Sequence, residues 1–160
     1  MRILIFAAIG ATLFDQISKY LVVHVMNLGQ VRSIDVWPPI LNFRYGENRG
    51  INFGLLDGGA DWTRWILIGF SLLVVLAVLY WIRRSHAQSG GMQFSAGLMV
   101  GGALGNVSDR LVFGYVQDFL NMSCCGFNNP YVFNVADVFI FAGAAGLILF
   151  DGRQDRKKAA

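Results

Sequence analysis

Charge is scarce in this chain, and so are the residues from which most hydrolytic sites are assembled. Of 160 residues, 10 are acidic and 13 basic, together 14%, against 55% hydrophobic. So few charges exclude an ordinary water-soluble domain and fit a membrane protein. Histidine is limited to His24 and His86, which the expected topology puts on opposite sides of the membrane, so the two offer no shared metal site. The same shortage removes the usual base for a serine nucleophile, since Ser18 and Ser108 have only Lys19 and Asp109 beside them. The two cysteines, Cys124 and Cys125, are adjacent. They form a vicinal disulfide or two unremarkable thiols, and no second pair exists to relay electrons. Tandem repeats and low-complexity segments are also missing. The net charge of +3 is carried at helix ends rather than in a patch, which argues against a nucleic-acid partner.

Long apolar runs are abundant. Stretches 3–14, 65–82, 92–108 and 132–150 carry almost no charge, and each extends into flanks that complete the roughly 20 residues a bilayer core requires. Four transmembrane helices are expected, at about 3–25, 64–83, 93–112 and 132–150, forming one integral-membrane domain over 1–160. The first run resembles a signal peptide, but "DQISK" stands where a small-residue cleavage site belongs, so it reads as a retained helix. Arg2, Arg83, Arg84, Arg153, Arg156, Lys157 and Lys158 flank the helices on one side, which predicts cytoplasmic termini. Connections 26–61 and 113–131 then face outward. The first contains "ILNFRY", with two prolines and several glycines around it, and favours short strands lying on the membrane surface, where Trp37, Trp62 and Trp65 would settle. Gly97, Gly101 and Gly105 repeat at spacings of four and mark a helix-packing seam.

Against this apolar background the polar residues form a pattern. Asp15 and Lys19 share a helix face and can pair, either for structure or as part of a site. Asn106 and Asp109 are three apart, and so are Asn134 and Asp137, with Asp118 between the two motifs. The expected topology brings Asp109, Asp118 and Asp137 to one depth near the outer membrane face. A charge at mid-membrane costs roughly 2.5–3.5 kcal/mol, and less near the interface, so such residues must pair or line a wet cavity. Asp109 adjoins Arg110 and is expected to stay ionised as its partner, whereas Asp118 and Asp137 precede apolar residues. Two desolvated carboxylates that repel one another can hold one proton between them, the arrangement of an aspartic protease.

"DQISK" (15–19), "NRGINF" (48–53), "GGALGNVSDR" (101–110), "VQDF" (116–119) and "FNVAD" (133–137) together resemble the ordered motifs of bacterial lipoprotein signal peptidases, or signal peptidase II. Each is weak alone, but five in order on a chain of this length are specific. The resemblance implies an all-α fold of four transmembrane helices with a small β-rich cradle in the first periplasmic loop. It further implies a multi-pass inner-membrane aspartyl endopeptidase with its active site near the periplasmic face. Its substrates would be prolipoproteins, cut on the N-terminal side of a diacylglyceryl-modified cysteine. Asp118 and Asp137 fall at the family's catalytic positions; Asp15, Lys19, Asn48, Gly50, Asn106, Asp109, Arg110 and Asn134 fall at positions that bind substrate or support the site. No metal and no cofactor is expected. A monomer in contact with membrane lipid, inhibited by cyclic peptides of the globomycin type, completes the expectation. Asn52 departs from the family's usual small residue before the motif phenylalanine. Two rival readings are a proton-coupled transporter using the same carboxylates and a thiol oxidoreductase using Cys124 and Cys125.

Overall fold

The computed structural model describes residues 1–50, 60–84, 89–124, 126 and 129–158, so that Asn52, His86 and Cys125 lie outside the described residues. Helix α1 (Arg2–Lys19) continues into a π-helical segment, Tyr20–Val25, and a short helix α2 (Leu28–Val31). Strands β1 (Ser33–Trp37) and β2 (Leu41–Asn48) follow, then the long helices α3 (Ala60–Arg84) and α4 (Gly90–Phe113). Strand β3 (Val116–Met122) leads to the final helix α5 (Val135–Lys158).

The chain is mostly helical, with a three-stranded antiparallel sheet in the order β1-β2-β3. That sheet corrects the sequence reading in one respect. Its β-structure is not confined to the first connection, because β3 comes from the stretch between α4 and α5. Among the described residues, two stretches, Arg2–Val25 and Trp62–Arg84, are long and apolar enough to cross a membrane by length and composition.

Helix α4 is the hub. Leu4 and Ala8 of α1, Val75, Val78 and Ile82 of α3, and Leu147 of α5 join its Met92, Ala96, Val100 and Ala103 in one buried cluster. The glycine seam explains the close approach of α1. A β-carbon on Gly97 would come within 2.6 Å of the Leu4 carbonyl oxygen, and one on Gly101 would overlap the carbonyl oxygen of Ala8. Gly10 faces open space, with nothing within 4 Å of such an atom. Gly101→Ala should therefore cost about 1–3 kcal/mol by forcing the helices apart, while Gly10→Ala should be neutral or gain up to about 1 kcal/mol through helix propensity. Thermal unfolding of both variants in detergent checks this; equal melting temperatures would rule out the seam.

The outer faces of the helices are inverted relative to a soluble protein. Phe6, Phe70, Leu76, Phe141 and Ile148 are all exposed, whereas Asp15, Lys19, Asp109, Asp118 and Asn134 are buried. An apolar exterior on this scale is a surface for lipid or a partner rather than for water.

One local signal delivers the chain to the buried polar residues. Gly114 ends α4 in the left-handed conformation (φ 86°), its N–H donating to Arg110 O, and turns the chain into β3 two residues later. Beneath the sheet, Val22, Leu28 and Phe119 make a second small core, against which Ile34, Phe43 and Tyr45 pack.

Candidate functional site

At the head of α5, Asn134 and Asp137 cap the helix reciprocally. The Asn134 N–H donates to Asp137 Oδ2 at 3.1 Å, and the Asp137 N–H donates to Asn134 Oδ1 at 3.0 Å. This is a capping box built from Asn and Asp, and it fixes both side chains before any other contact is made. Asn134 has its amide nitrogen left over, and that group donates to Asp118 Oδ1 at 2.6 Å and to Asn106 Oδ1 at 3.2 Å. Asn106, about two turns before the end of α4, donates in turn to Asp137 Oδ1 at 3.0 Å. The second oxygen of Asp118 accepts from Asn48 Nδ2 at 3.1 Å. Three asparagines thus hold two carboxylates, one on β3 and one at the start of α5.

Asn48 is oriented by its own backbone. Its Oδ1 accepts from the Gly50 N–H at 3.1 Å, which leaves Nδ2 directed at Asp118. Gly50 adopts φ +100°, a conformation that favours glycine, and lies against Leu67 and Thr63 of α3.

Behind the carboxylate pair lies a buried ion cluster. Lys19 Nζ is 2.8 Å from Asp15 Oδ2 and 2.8 Å from Asp109 Oδ2, and all three side chains are at most 2% exposed. Lys19 also donates to Asn106 Oδ1 at 3.3 Å. The Asp15–Lys19 pair agrees with the sequence reading. The cation beside Asp109 does not: it is Lys19, not Arg110. Neighbouring residues in a helix point about 100° apart, so sequence adjacency does not make a pair. Arg110 makes no ion pair with Asp109; it donates weakly to Asn106 O at 3.4 Å, within electrostatic reach of Asp118, Asp137 and Asp109.

Each anion of this cluster has a further task. Asp15 Oδ1 accepts from the Ala136 N–H at 2.8 Å, and Asp109 Oδ2 accepts from the Gln117 N–H at 3.0 Å. Ala136 immediately precedes Asp137, and Gln117 immediately precedes Asp118. Lys19 therefore ties together two clamps, each gripping the backbone one residue before a member of the carboxylate pair.

Sequence reasoning missed two contributors. Gln16 donates to Asp109 Oδ1 at 2.8 Å and to Asp15 Oδ2 at 3.2 Å, bridging the anions from α1. Gly105, read only as part of the packing seam, makes room for the site, because a β-carbon there would come within 2.6 Å of Asp15 Oδ2. A glycine abutting a buried carboxylate leaves no mark in a spacing pattern. Cys124 is disulfide-bonded and lines a separate hollow with Asp35 and Asn42.

Electrostatics distinguish Asp118. Burial, and then the nearby negative charge of Asp137, push its carboxyl up to about 7, against the opposing hydrogen bonds from Asn134 and Asn48 and the charge of Lys19. At neutral pH it can hold a proton, so the pair can present one acid and one base. An apolar cavity of about 270 Å³ between α3, α4 and α5 is lined by Leu67, Phe70, Val74, Met99 and Ile140, and it meets the site through Asn106 and Arg110 on its wall.

Two solved structures with this architecture are described as bacterial membrane enzymes. The chain superposes with a TM-score of 0.78 and 29% identity on a bacterial membrane enzyme determined by the in meso method at 1.9 Å, over 91% of this chain and 90% of that one. A second bacterial membrane enzyme, determined by the same method at 2.3 Å, matches with a TM-score of 0.77 and 28% identity over 97% and 90% of the two chains. Residues 7–151 match the family described as signal peptidase (SPase) II, and the chain belongs to that family of peptidases. It is 40% identical to a lipoprotein signal peptidase of Alteromonas mediterranea over 93% of this chain and 80% of the relative. It is also 40% identical to that of Trichormus variabilis, over 92% and 88%.

Proposed function

We propose that this peptidase is an aspartyl endopeptidase that removes the signal peptide of prolipoproteins, cutting on the N-terminal side of a diacylglyceryl-modified cysteine, with Asp118 and Asp137 as its catalytic pair. The observation that carries this reading is the pairing of two carboxylates through Asn48, Asn106 and Asn134, with Asn106 also on the wall of an apolar cavity.

The chemistry follows from the two environments. Asp137 takes a proton from a water molecule as its oxygen attacks the scissile carbonyl, while protonated Asp118 donates to the carbonyl oxygen. On collapse of the tetrahedral intermediate, the proton held by Asp137 passes to the departing amine of the cysteine, and Asp118 recovers its own from the hydroxyl. Neither a metal nor a cofactor is needed. Asn134 bonds both members, which supports a role in holding them together through the cycle.

A substrate anchored in lipid must reach this pair sideways. The apolar exterior of α1, α3 and α5 supports a chain of four membrane-spanning helices, with both termini on the cytoplasmic side of the inner membrane and the sheet at its outer face. The apolar cavity suits the hydrophobic signal segment or an acyl chain, and Arg110 on its wall suits a carbonyl or ester oxygen of the substrate. A globomycin-type cyclic peptide would compete for the same space. Because one chain contributes both carboxylates, a monomer suffices.

Cleavage of a prolipoprotein with and without its diacylglyceryl group, in detergent micelles and read by gel shift, tests the proposal. The lipidated form should be cut and the unmodified form left intact. Equal cleavage of both would overturn the lipid requirement, and no cleavage of either by folded enzyme would overturn the proposal itself.

A further inference from the structure

The face of the sheet turned away from the carboxylate pair carries a second cluster. In the β2–β3 ladder Gly46 stands opposite Asp118 and Asn48 opposite Val116, so these side chains share the site face. Tyr45, Glu47 and Arg49, one residue out of phase, share the other face with Tyr115. The contacts there form a closed ring. The Arg49 guanidinium lies 5.0 Å from the centre of the Tyr115 ring and 2.6 Å from Glu47 Oε2. The Tyr115 hydroxyl is 3.1 Å from that of Tyr45, which is 3.4 Å from Glu47 Oε1.

The position of this ring in the ladder matters more than its strength. The last backbone pairing of β2 is at Asn48, and the register, continued one residue further, sets Arg49 against Tyr115. Asn48 is solvent-exposed at a strand terminus, a place where strands fray, yet its amide must stay within 3.1 Å of Asp118. On the site face, among the described residues, the contacts of Asn48 and Gly50 restrain that strand end. On the far face the Arg49 ring clamps it to β3, the strand that bears Asp118.

We infer that Arg49, seated between the Tyr115 ring and the Glu47 carboxylate, is a positioning residue that latches the end of β2 so that Asn48 keeps its hydrogen bond to Asp118. This rests on the reading of Asp118 as a catalytic acid. Arg49 has no role in the chemistry and acts only through Asn48.

A latch and a merely structural contact differ in what their loss changes. The groups facing Asp118 are Asp137 from α5, Arg110 from α4, Lys19 from α1, and the amides of Asn134 and Asn48. Of these, only Asn48 depends on the latch. Its amide opposes the upward push of burial, so its withdrawal raises the pH at which Asp118 gives up its proton.

The experiment compares the pH–rate profiles of wild type, Arg49→Ala, Tyr115→Leu, Arg49→Lys and Asp118→Asn on lipidated prolipoprotein. Arg49 is 59% exposed, so its replacement leaves the core untouched. Arg49→Ala and Tyr115→Leu should each lower kcat about tenfold, a cost of misplacing a group that contacts the reacting pair, with KM little changed and the basic limb of the profile moved to higher pH. Arg49→Lys, which keeps a cation for Tyr115 and Glu47, should recover most of kcat and the wild-type limb. Unchanged kcat and profile in Arg49→Ala, or a rise in KM alone, would overturn the latch. An active Asp118→Asn would instead overturn the reading beneath it, and the two failures are thereby distinguishable.

Discussion

Asp118→Asn is expected to lose cleavage by at least about a thousandfold, the loss of a positioned acid or base, and yet to unfold at a higher temperature than wild type above pH 7. The two effects have one cause. Burial and the neighbouring Asp137 raise the carboxyl of Asp118 to about 7, whereas an unfolded chain titrates it near 4. Between those values the folded state holds a proton that the unfolded state has released, so stability is greatest below the lower value and is lost as pH climbs to the upper one. An amide has no proton to lose and escapes that penalty. It also returns something, because the asparagine has one acceptor oxygen where Asp118 accepts from both Asn134 and Asn48. The net gain at pH 8 should be about 1–2 kcal/mol, vanishing near pH 4. Asp137→Asn should abolish cleavage equally, but it also weakens the cap of α5, since Asp137 Oδ2 accepts from the Asn134 N–H. Cleavage assays with thermal unfolding at pH 4 and pH 8 separate these outcomes. A folded, active Asn variant at either position would remove the aspartyl pair from contention.

How far the site was legible from sequence depended on how local each interaction is. The Asn-x-x-Asp spacing of 134 and 137 marked both residues for the site, and although the sequence reading drew no cap from it, the structure shows a capping box complete within those four residues. The Asp15–Lys19 pair is likewise one helical turn. Asp118 stood out as a carboxylate among apolar residues, but its strand did not. Residues Val116 to Phe119 are all buried, so no in-out alternation marks the segment as β, and a short apolar run alone does not distinguish strand from helix. The link from Lys19 to Asp109 could not be read at all, because it joins the ends of α1 and α4 and competes with an adjacent arginine that looks the better partner. That the polar residues face the bundle interior was predictable on energetic grounds; which polar group meets which was decided by the packing of α1 against α4.

That buried link makes the next most severe prediction. Lys19→Met should destabilise the protein by about 3–5 kcal/mol, the cost of stranding buried charge by removing its partner, because Asp15 and Asp109 are left facing one another at no more than 1% exposure. Activity should fall with stability, since those two anions hold the N–H groups of Ala136 and Gln117, one residue before Asp137 and Asp118. Asp109→Asn should be milder. The cluster has two carboxylates and one ammonium, so removing one negative charge leaves a neutral Asp15–Lys19 pair, and an amide oxygen at 109 can still accept from Gln117. The triple change Lys19→Met, Asp15→Asn, Asp109→Asn should recover most of the lost stability, because a cluster without charges has no desolvation penalty left to offset. Thermal unfolding of the three proteins in one detergent orders them. If Lys19→Met melts with wild type, the clamps hold without their cation, and the spacing of the carboxylate pair must be set by the α5 cap and the β2–β3 ladder alone.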